Sequence, residues 1–400
     1  MATLFMKAIL SKSIAHLSFL LMCAGSGALF VSNILTKKFL TPEDYLSLSY
    51  IITITTILSS FALGGMEQLI IRYGSSENKK VTIDRTSSIC IIVATATALI
   101  VSPIAITAIF PAGISAIWVF FLTLFFCLSL INYNISRIKS EFIEAQIASG
   151  AWKFAIFIGV LACTFALSER FENTLLGCMA LAGILNIYLT IKNLRSVTVI
   201  RTHSSTVSTG LAFSFSLAIM TILGAFDRVL AERFGGEALF AEYVYFSMIL
   251  IFPFNMIASY IGFREAVFFK TNFSSPLIKQ KAFKVLAKIT ILFLLFGGIV
   301  YLIAPSINLK LTFLTMLLSY LLVCTKCIYS IFSSVMGSRA SASDIWKANL
   351  YSAAAIISII GIYAVMDHEI SINSLLALFI ALWASRTIIF INMVLSKKNA

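Results

Sequence analysis

Two basic residues stand where their charge is hardest to accommodate. Lys326 lies inside an apolar run over 311–333 and Arg386 inside another over 373–394, each in the half nearer the basic ends of its run. Lys153 opens a third run, 154–167, from that same side. A charge at depth in hydrocarbon is costly and is kept where it faces a cavity or a partner. The chemistry such groups suit is capture of phosphate oxygens, Arg through its bidentate fork and Lys as a point charge. The plainer alternative is snorkelling, in which a long side chain near a helix end reaches the headgroups.

Charges of both signs mark the ends of other runs. Asp227 and Arg228 close the run 209–227 on the opposite side, and Glu242 lies near that side in the run 239–262. A carboxylate beside a cation at that depth suits a gate that breaks when its side opens, or a proton-coupling site. An ordinary interfacial pair, contributing roughly 0–1 kcal/mol, is the alternative. Glu67 and Arg72 close the run 46–66 on the basic side and are candidates for the second gate, or for a solvated helix end. Asn33, Asn132, Asn186 and Asn255 are amides at depth; each suits a sugar hydroxyl, and each equally suits contact between helices, with Asn33 and Asn255 carried forward as candidate substrate contacts. Pro103 and Pro253 fall within runs and remove a backbone donor, so each is a candidate pivot or a static kink.

Covalent chemistry has no motif here. No glycine run with Lys and Ser/Thr is present to cradle a nucleotide, and no pair of carboxylates reads as catalytic. Cys324 and Cys327 form a C-x-x-C, but on a membrane run with Lys326 between them, which reads as packing. His16, His203 and His368 are far apart in sequence and suggest no metal cluster. The expectation is a protein without cofactor or metal that is not an enzyme.

The elements that must position these residues follow from composition. Of the 400 residues 60% are hydrophobic and only 12% charged, about half the charged share of a soluble chain. With a mean hydropathy of +0.98, the apolar excess cannot hide in a water-soluble core. Twelve segments approach the roughly 20 apolar residues that a bilayer needs: 14–35, 46–66, 87–109, 114–133, 154–167, 175–191, 209–227, 239–262, 289–304, 311–333, 349–366 and 373–394. Lipid offers no partner to an unpaired backbone group, so the spans must be helices. The first run is too long for a signal-peptide core and lacks a cleavage site, so it reads as a retained span. With twelve spans both termini share one side, which holds 22 of the 30 Lys and Arg against 6 on the other. The positive-inside rule makes that side cytoplasmic and accounts for the net charge of +13 without nucleic acid. The longest inner loop, 264–288, carries Lys279, Lys281, Lys284 and Lys288 at a spacing suited to a basic helix on anionic headgroups.

A repeat organises the spans. Lys38-Phe39, Tyr45, Ser49 and Ile51 match Arg233-Phe234, Tyr243, Ser247 and Ile249 across about 198 residues. Six helices lie between the copies, so both halves share an orientation, the pattern of a parallel repeat. The expected fold is an all-α polytopic membrane protein of about 12 helices in two pseudo-symmetric six-helix bundles, 1–203 and 204–400, around a central cavity.

The chain also resembles a known family. Thr36-Lys37-Lys38-Phe39-Leu40-Thr41-Pro42-Glu43-Asp44-Tyr45, then Ala62-Leu63-Gly64-Gly65-Met66-Glu67-Gln68-Leu69-Ile70-Ile71-Arg72-Tyr73, resemble the start of polysaccharide-unit flippases, O-antigen flippases among them, of the multidrug/oligosaccharidyl-lipid/polysaccharide (MOP) superfamily. Asp227-Arg228-Val229-Leu230 with Gly235, Gly236 and Tyr243 is similar to the family's seventh-helix pattern. Leu46 departs from it, where the family usually has Gly after the Tyr. The resemblance implies transfer of an undecaprenyl-pyrophosphate-linked oligosaccharide between leaflets of a bacterial inner membrane by alternating access. It implies membrane lipid as a partner, with a polysaccharide polymerase and a chain-length regulator as candidate protein partners. A drug or cation exporter of the same superfamily is the first rival, although it should place carboxylates deep in its cavity. A membrane O-antigen polymerase is the second, although it should carry a long outer loop, and the longest here, 228–238, is about eleven residues.

Overall fold

Helices dominate, as the apolar runs require. The computed structural model describes the backbone of residues 2–111, 113–165, 171–201, 207–271, 274–365 and 370–396, and the side chains of these except 2–16, 263, 264, 266, 267, 270, 271 and 338. Arg170, His203, His368, Lys397, Lys398, the expected boundary at 203/204 and the side chains of Lys7, Lys12, His16, Arg264 and Lys270 therefore lie outside the described residues. The chain divides into two compact units, Met1–Leu217 and Ala218–Ala400.

The first unit runs α1 (Ala2–Phe39), α2 (Pro42–Phe61), α3 (Gln68–Tyr73), β1 (Ser75–Glu77), β2 (Lys80–Asp84), α4 (Arg85–Ile109), α5 (Ala116–Ile138), α6 (Phe142–Phe165), α7 (Phe171–Leu194) and β3 (Val197–Ile200). It ends in the first turns of α8 (Val207–Phe246), whose remainder opens the second unit. Then come a π-helical turn (Ser247–Ile251), α9 (Phe252–Thr271), α10 (Ser275–Ile303), a 3-10 turn (Ala304–Ile307), α11 (Phe313–Arg339), α12 (Ala342–Val365) and α13 (Ile372–Ser396).

Among the described residues ten helical stretches are long and apolar enough to cross a membrane, which makes this a multi-pass membrane protein. One of the ten, Val207–Gly262, has 56 residues. At 1.5 Å per residue it is more than twice as long as the roughly 30 Å hydrocarbon core, and Gly236, at φ 76°, breaks it into two. The expected outer loop at 228–238 is thus mostly helix, because Val229-Leu230-Ala231-Glu232-Arg233 propagate it and the interruption narrows to one glycine. Helix α2 is less apolar than these ten for a physical reason: half of it is buried, so Ser49, Thr53 and Thr55 meet protein rather than lipid. Thr41 and Asp44 form a reciprocal capping box at its start, with Pro42 in the first turn, so the gap between the predicted runs 14–35 and 46–66 shrinks to a tight corner.

Two local features were not foreseen. A three-stranded sheet in the order β1-β2-β3 joins the 74–84 segment to the end of α7. Asn78 and Lys79, both at positive φ, make the two-residue turn of its hairpin, and β2 pairs β3 in parallel from Val81↔Val197 to Asp84↔Ile200. The other is the π-helical turn just before Pro253, which takes up the missing proline donor as a local widening of the helix.

Candidate functional site

The second unit brings four of the sequence-selected residues into one cluster. Lys326 and Tyr329 lie three apart on α11, and Trp383, Arg386 and Phe390 recur at i, i+3 and i+7 on α13, so each set shares a helix face. Asp227 and Arg228 come from α8, and Asn349 from α12. Trp383 Nε1 donates to the Leu223 carbonyl at 3.0 Å, fixing the indole against α8. Its ring meets Tyr329 edge-on at 5.3 Å and carries the Lys326 ammonium 5.2 Å from its centre.

Arg386 is fully enclosed, at 0% exposure. Its Nε donates to Tyr329 Oη at 3.0 Å and its Nη2 to Asn349 Oδ1 at 3.4 Å. The guanidinium also lies 4.8 Å from the Phe390 ring centre. Such ring contacts contribute roughly 0.5–2 kcal/mol each, against a desolvation cost of several kcal/mol for a buried ion. The group neither snorkels nor lines an open surface; it is locked between α11, α12 and α13.

Asp227 is the carboxylate of the cluster. It accepts from Tyr243 Oη at 2.7 Å and from the Arg228 backbone N–H at 2.9 Å. Asp227 and Arg228 both stand within electrostatic range of Lys326. Among the described residues the cluster therefore places three cations, Arg228, Lys326 and Arg386, near the Asp227 carboxylate. Lys326 is half-buried and, among the described residues, its three donor hydrogens meet no acceptor. A fixed positive field around an available ammonium is suited to a phosphate group.

In the first unit Lys153 is deeper than its hydropathy window suggests. Helix α6 starts at Phe142, about three turns before Lys153, so the lysine sits mid-helix rather than at a helix mouth. Its Nζ donates to Ser26 Oγ on α1 at 3.5 Å, and its stem runs beside Gly25. Asn33 is fully buried: its Nδ2 donates to the Leu29 carbonyl at 2.8 Å and its Oδ1 accepts from Tyr45 Oη at 3.4 Å. The two segments matched in sequence thus use a similar device. Tyr45 reaches back to Asn33 on the preceding helix, and Tyr243 reaches back to Asp227.

Among the described residues Glu67 and Arg72 form no ion pair with each other. Glu67 is buried in the break between α2 and α3, where Gly64 and Gly65 take positive φ, and accepts from Gln68 Nε2 at 3.3 Å. Arg72 is exposed and stacks against Phe213, 5.6 Å from the ring centre. Glu242 forms its ion pair with Lys310 at 3.9 Å rather than with the Asp227 cluster. Asn255 is half-buried on α9. Asn132 donates to the Asn186 carbonyl and to Thr190 Oγ1, both at 2.9 Å, and so ties α5 to α7.

Tyr329, Asn349 and Trp383 were missed in the sequence, and Tyr243 was singled out there only for its match to Tyr45 and to the family pattern. The signal was present: a buried cation needs acceptors or aromatic faces, and Tyr329, Trp383 and Phe390 lie three or four residues from Lys326 or Arg386.

No protein-family model matches this sequence, and no curated protein matches it. Solved structures do. A MOP superfamily transporter from Pyrococcus furiosus, described as having a binding pocket of reversed polarity that suggests a different function, is 15% identical, covers 96% of this chain and 94% of its own, and superposes with a TM-score of 0.58. A MATE protein carrying a proline-to-alanine substitution is 15% identical over 96% of this chain and 95% of its own, with a TM-score of 0.57. A multidrug resistance MATE family transporter of the MOP superfamily, in an outward-facing conformation, is 14% identical over 97% of both chains, with a TM-score of 0.54. The likeness spans nearly the whole chain and is one of fold.

Proposed function

We propose that this chain is a transporter of the MOP type that carries an undecaprenyl-pyrophosphate-linked oligosaccharide, an O-antigen or similar surface-polysaccharide unit, from the cytoplasmic to the periplasmic leaflet of a bacterial inner membrane. The single observation that carries this reading is the half-buried Lys326 ammonium, which lacks an acceptor among the described residues, in a cluster that also holds Arg228 and Arg386. A pyrophosphate would complete that coordination; a cationic drug would add to the repulsion. The 22 to 6 division of Lys and Arg supports cytoplasmic termini.

In this reading Lys326 contacts the phosphate, while Arg386 and Trp383 position it through Tyr329 and the indole face. Lys153 offers a second cation in the first unit, with Asn33 of the Asn33–Tyr45 pair seven residues along α1 from its Ser26 partner. Alternating access follows the ion gradient, the membrane potential or removal of the product.

The test is deletion of the gene in its host. Loss of surface polysaccharide, with lipid-linked units retained on the inner leaflet and restored export on complementation, supports the proposal. Intact surface polysaccharide together with new drug sensitivity assigns the chain to drug export instead.

A further inference from the structure

We infer that β3 and the last turns of α7 form an interfacial anchor that seats the first unit on anionic lipid headgroups. The inference needs only that the chain spans a membrane and is independent of its cargo.

The apolar surface of α7 leads directly into the strand. Ile184, Ile187, Ile191 and Leu194 recur at three- and four-residue spacing and are all exposed, which makes them the lipid-facing stripe of this span. The chain then turns at Ser196, whose N–H and hydroxyl both donate to the Asn193 carbonyl. It continues as β3, where Val199 is 53% and Ile200 39% exposed. Register explains the pattern. Val197 and Val199 share a sheet face with Val81 and Ile83 of β2, which are buried against the helices. The apolar face therefore starts under cover at β2 and emerges at β3. With strand order β1-β2-β3, β3 is an edge, and an exposed apolar edge in water invites unwanted pairing.

Charge identifies the occupant. Lys80, Arg85, Arg195 and Arg201 are exposed around this edge and, among the described residues, make no ion pair. Three of the local carboxylates are already engaged, Glu141 with Lys79, Glu144 with Lys192, and Asp84 as the cap of α4, and the fourth, Glu77, sits on β1 opposite Lys80, two strands away from β3. Apolar side chains at the end of a span, rimmed by free cations, match the boundary between acyl chains and acidic headgroups. A second protein adding a strand to the edge would use its backbone and would not require this basic rim.

Hydrogen exchange on the full chain tests the anchor. The protein is reconstituted in phosphatidylcholine vesicles with and without phosphatidylglycerol, and the outward-pointing amides of 197–201 are followed by mass spectrometry. Phosphatidylglycerol should slow their exchange about tenfold while leaving β2 unchanged. The double variant Arg195→Gln, Arg201→Gln should lose the difference between the two vesicles. Equal exchange in both vesicle types overturns the inference, and so does protection that depends on protein concentration rather than on lipid charge, which indicates edge pairing between copies. The wild-type comparison stands whether or not the variant folds.

Discussion

Lys326 and Arg386 are held to one another by two rings rather than by a carboxylate. The ammonium rests 5.2 Å from the Trp383 ring centre, Trp383 meets Tyr329 edge-on, and Tyr329 accepts the Arg386 Nε hydrogen at 3.0 Å. The Lys326 ammonium meets an aromatic face and, among the described residues, forms no ion pair, so its field remains available to a ligand.

Arg386 is the structural member of this pair. Truncation to Ala leaves a cavity and removes the partner of Tyr329 and Asn349, so Arg386→Ala should cost about 2–4 kcal/mol. Arg386→Lys keeps the charge but not the fork and should recover part of it. Thermal unfolding in detergent measures both; an Ala variant as stable as the parent would contradict the enclosed geometry.

The repeated tyrosines differ in what they reach. Tyr243 donates to a carboxylate at 2.7 Å, Tyr45 to an amide at 3.4 Å. Bonds to charged groups contribute roughly 1.5–3 kcal/mol and neutral ones about 0.5–1.5. Tyr243→Phe should therefore lower the unfolding midpoint more than Tyr45→Phe. The reverse order would show that Asp227 does not depend on its tyrosine.

Two glycines separate backbone strain from crowding. Gly236 has φ 76° with nothing near an added Cβ, whereas Gly65 has φ 84° and an added Cβ would lie 3.0 Å from the Phe213 carbonyl oxygen. Gly236, with ψ 175°, lies in a positive-φ extended region essentially confined to glycine, so Gly236→Ala carries that backbone penalty alone, roughly 1–3 kcal/mol. Gly65→Ala adds the cost of overpacking, about 1–3 kcal/mol more. Stability measurements on the two variants should rank Gly65→Ala as the more damaging; equal losses would mean the 62–67 break yields to accommodate a methyl group.

Helices and buried cations were legible in the sequence because each follows from a large energy: hydrocarbon demands paired backbone, and an ion at depth demands a partner. Where each helix ends was less legible. The run 154–167 was clipped because Ser149, Gly150 and Lys153 lower local hydropathy although they lie within α6. The loop at 228–238 was inferred from charges and glycines that the helix carries through to Gly236. The sheet escaped because strands of three to five residues have too few positions to show alternation, and the β2–β3 pairing joins segments more than a hundred residues apart. Within the site, residue type pointed to Lys326, Arg386, Asp227 and Arg228 separately. That they share one cluster depends on helix packing, which no single-sequence pattern encodes.

The most direct test is binding of undecaprenyl pyrophosphate to the purified chain in nanodiscs, wild type against Lys326→Ala, at low and moderate salt. The proposal predicts saturable binding that weakens at least tenfold in the alanine variant, about 1.4 kcal/mol or more, and recovers partly in Lys326→Arg. Equal affinity in wild type and Lys326→Ala, with both proteins folded, would contradict it.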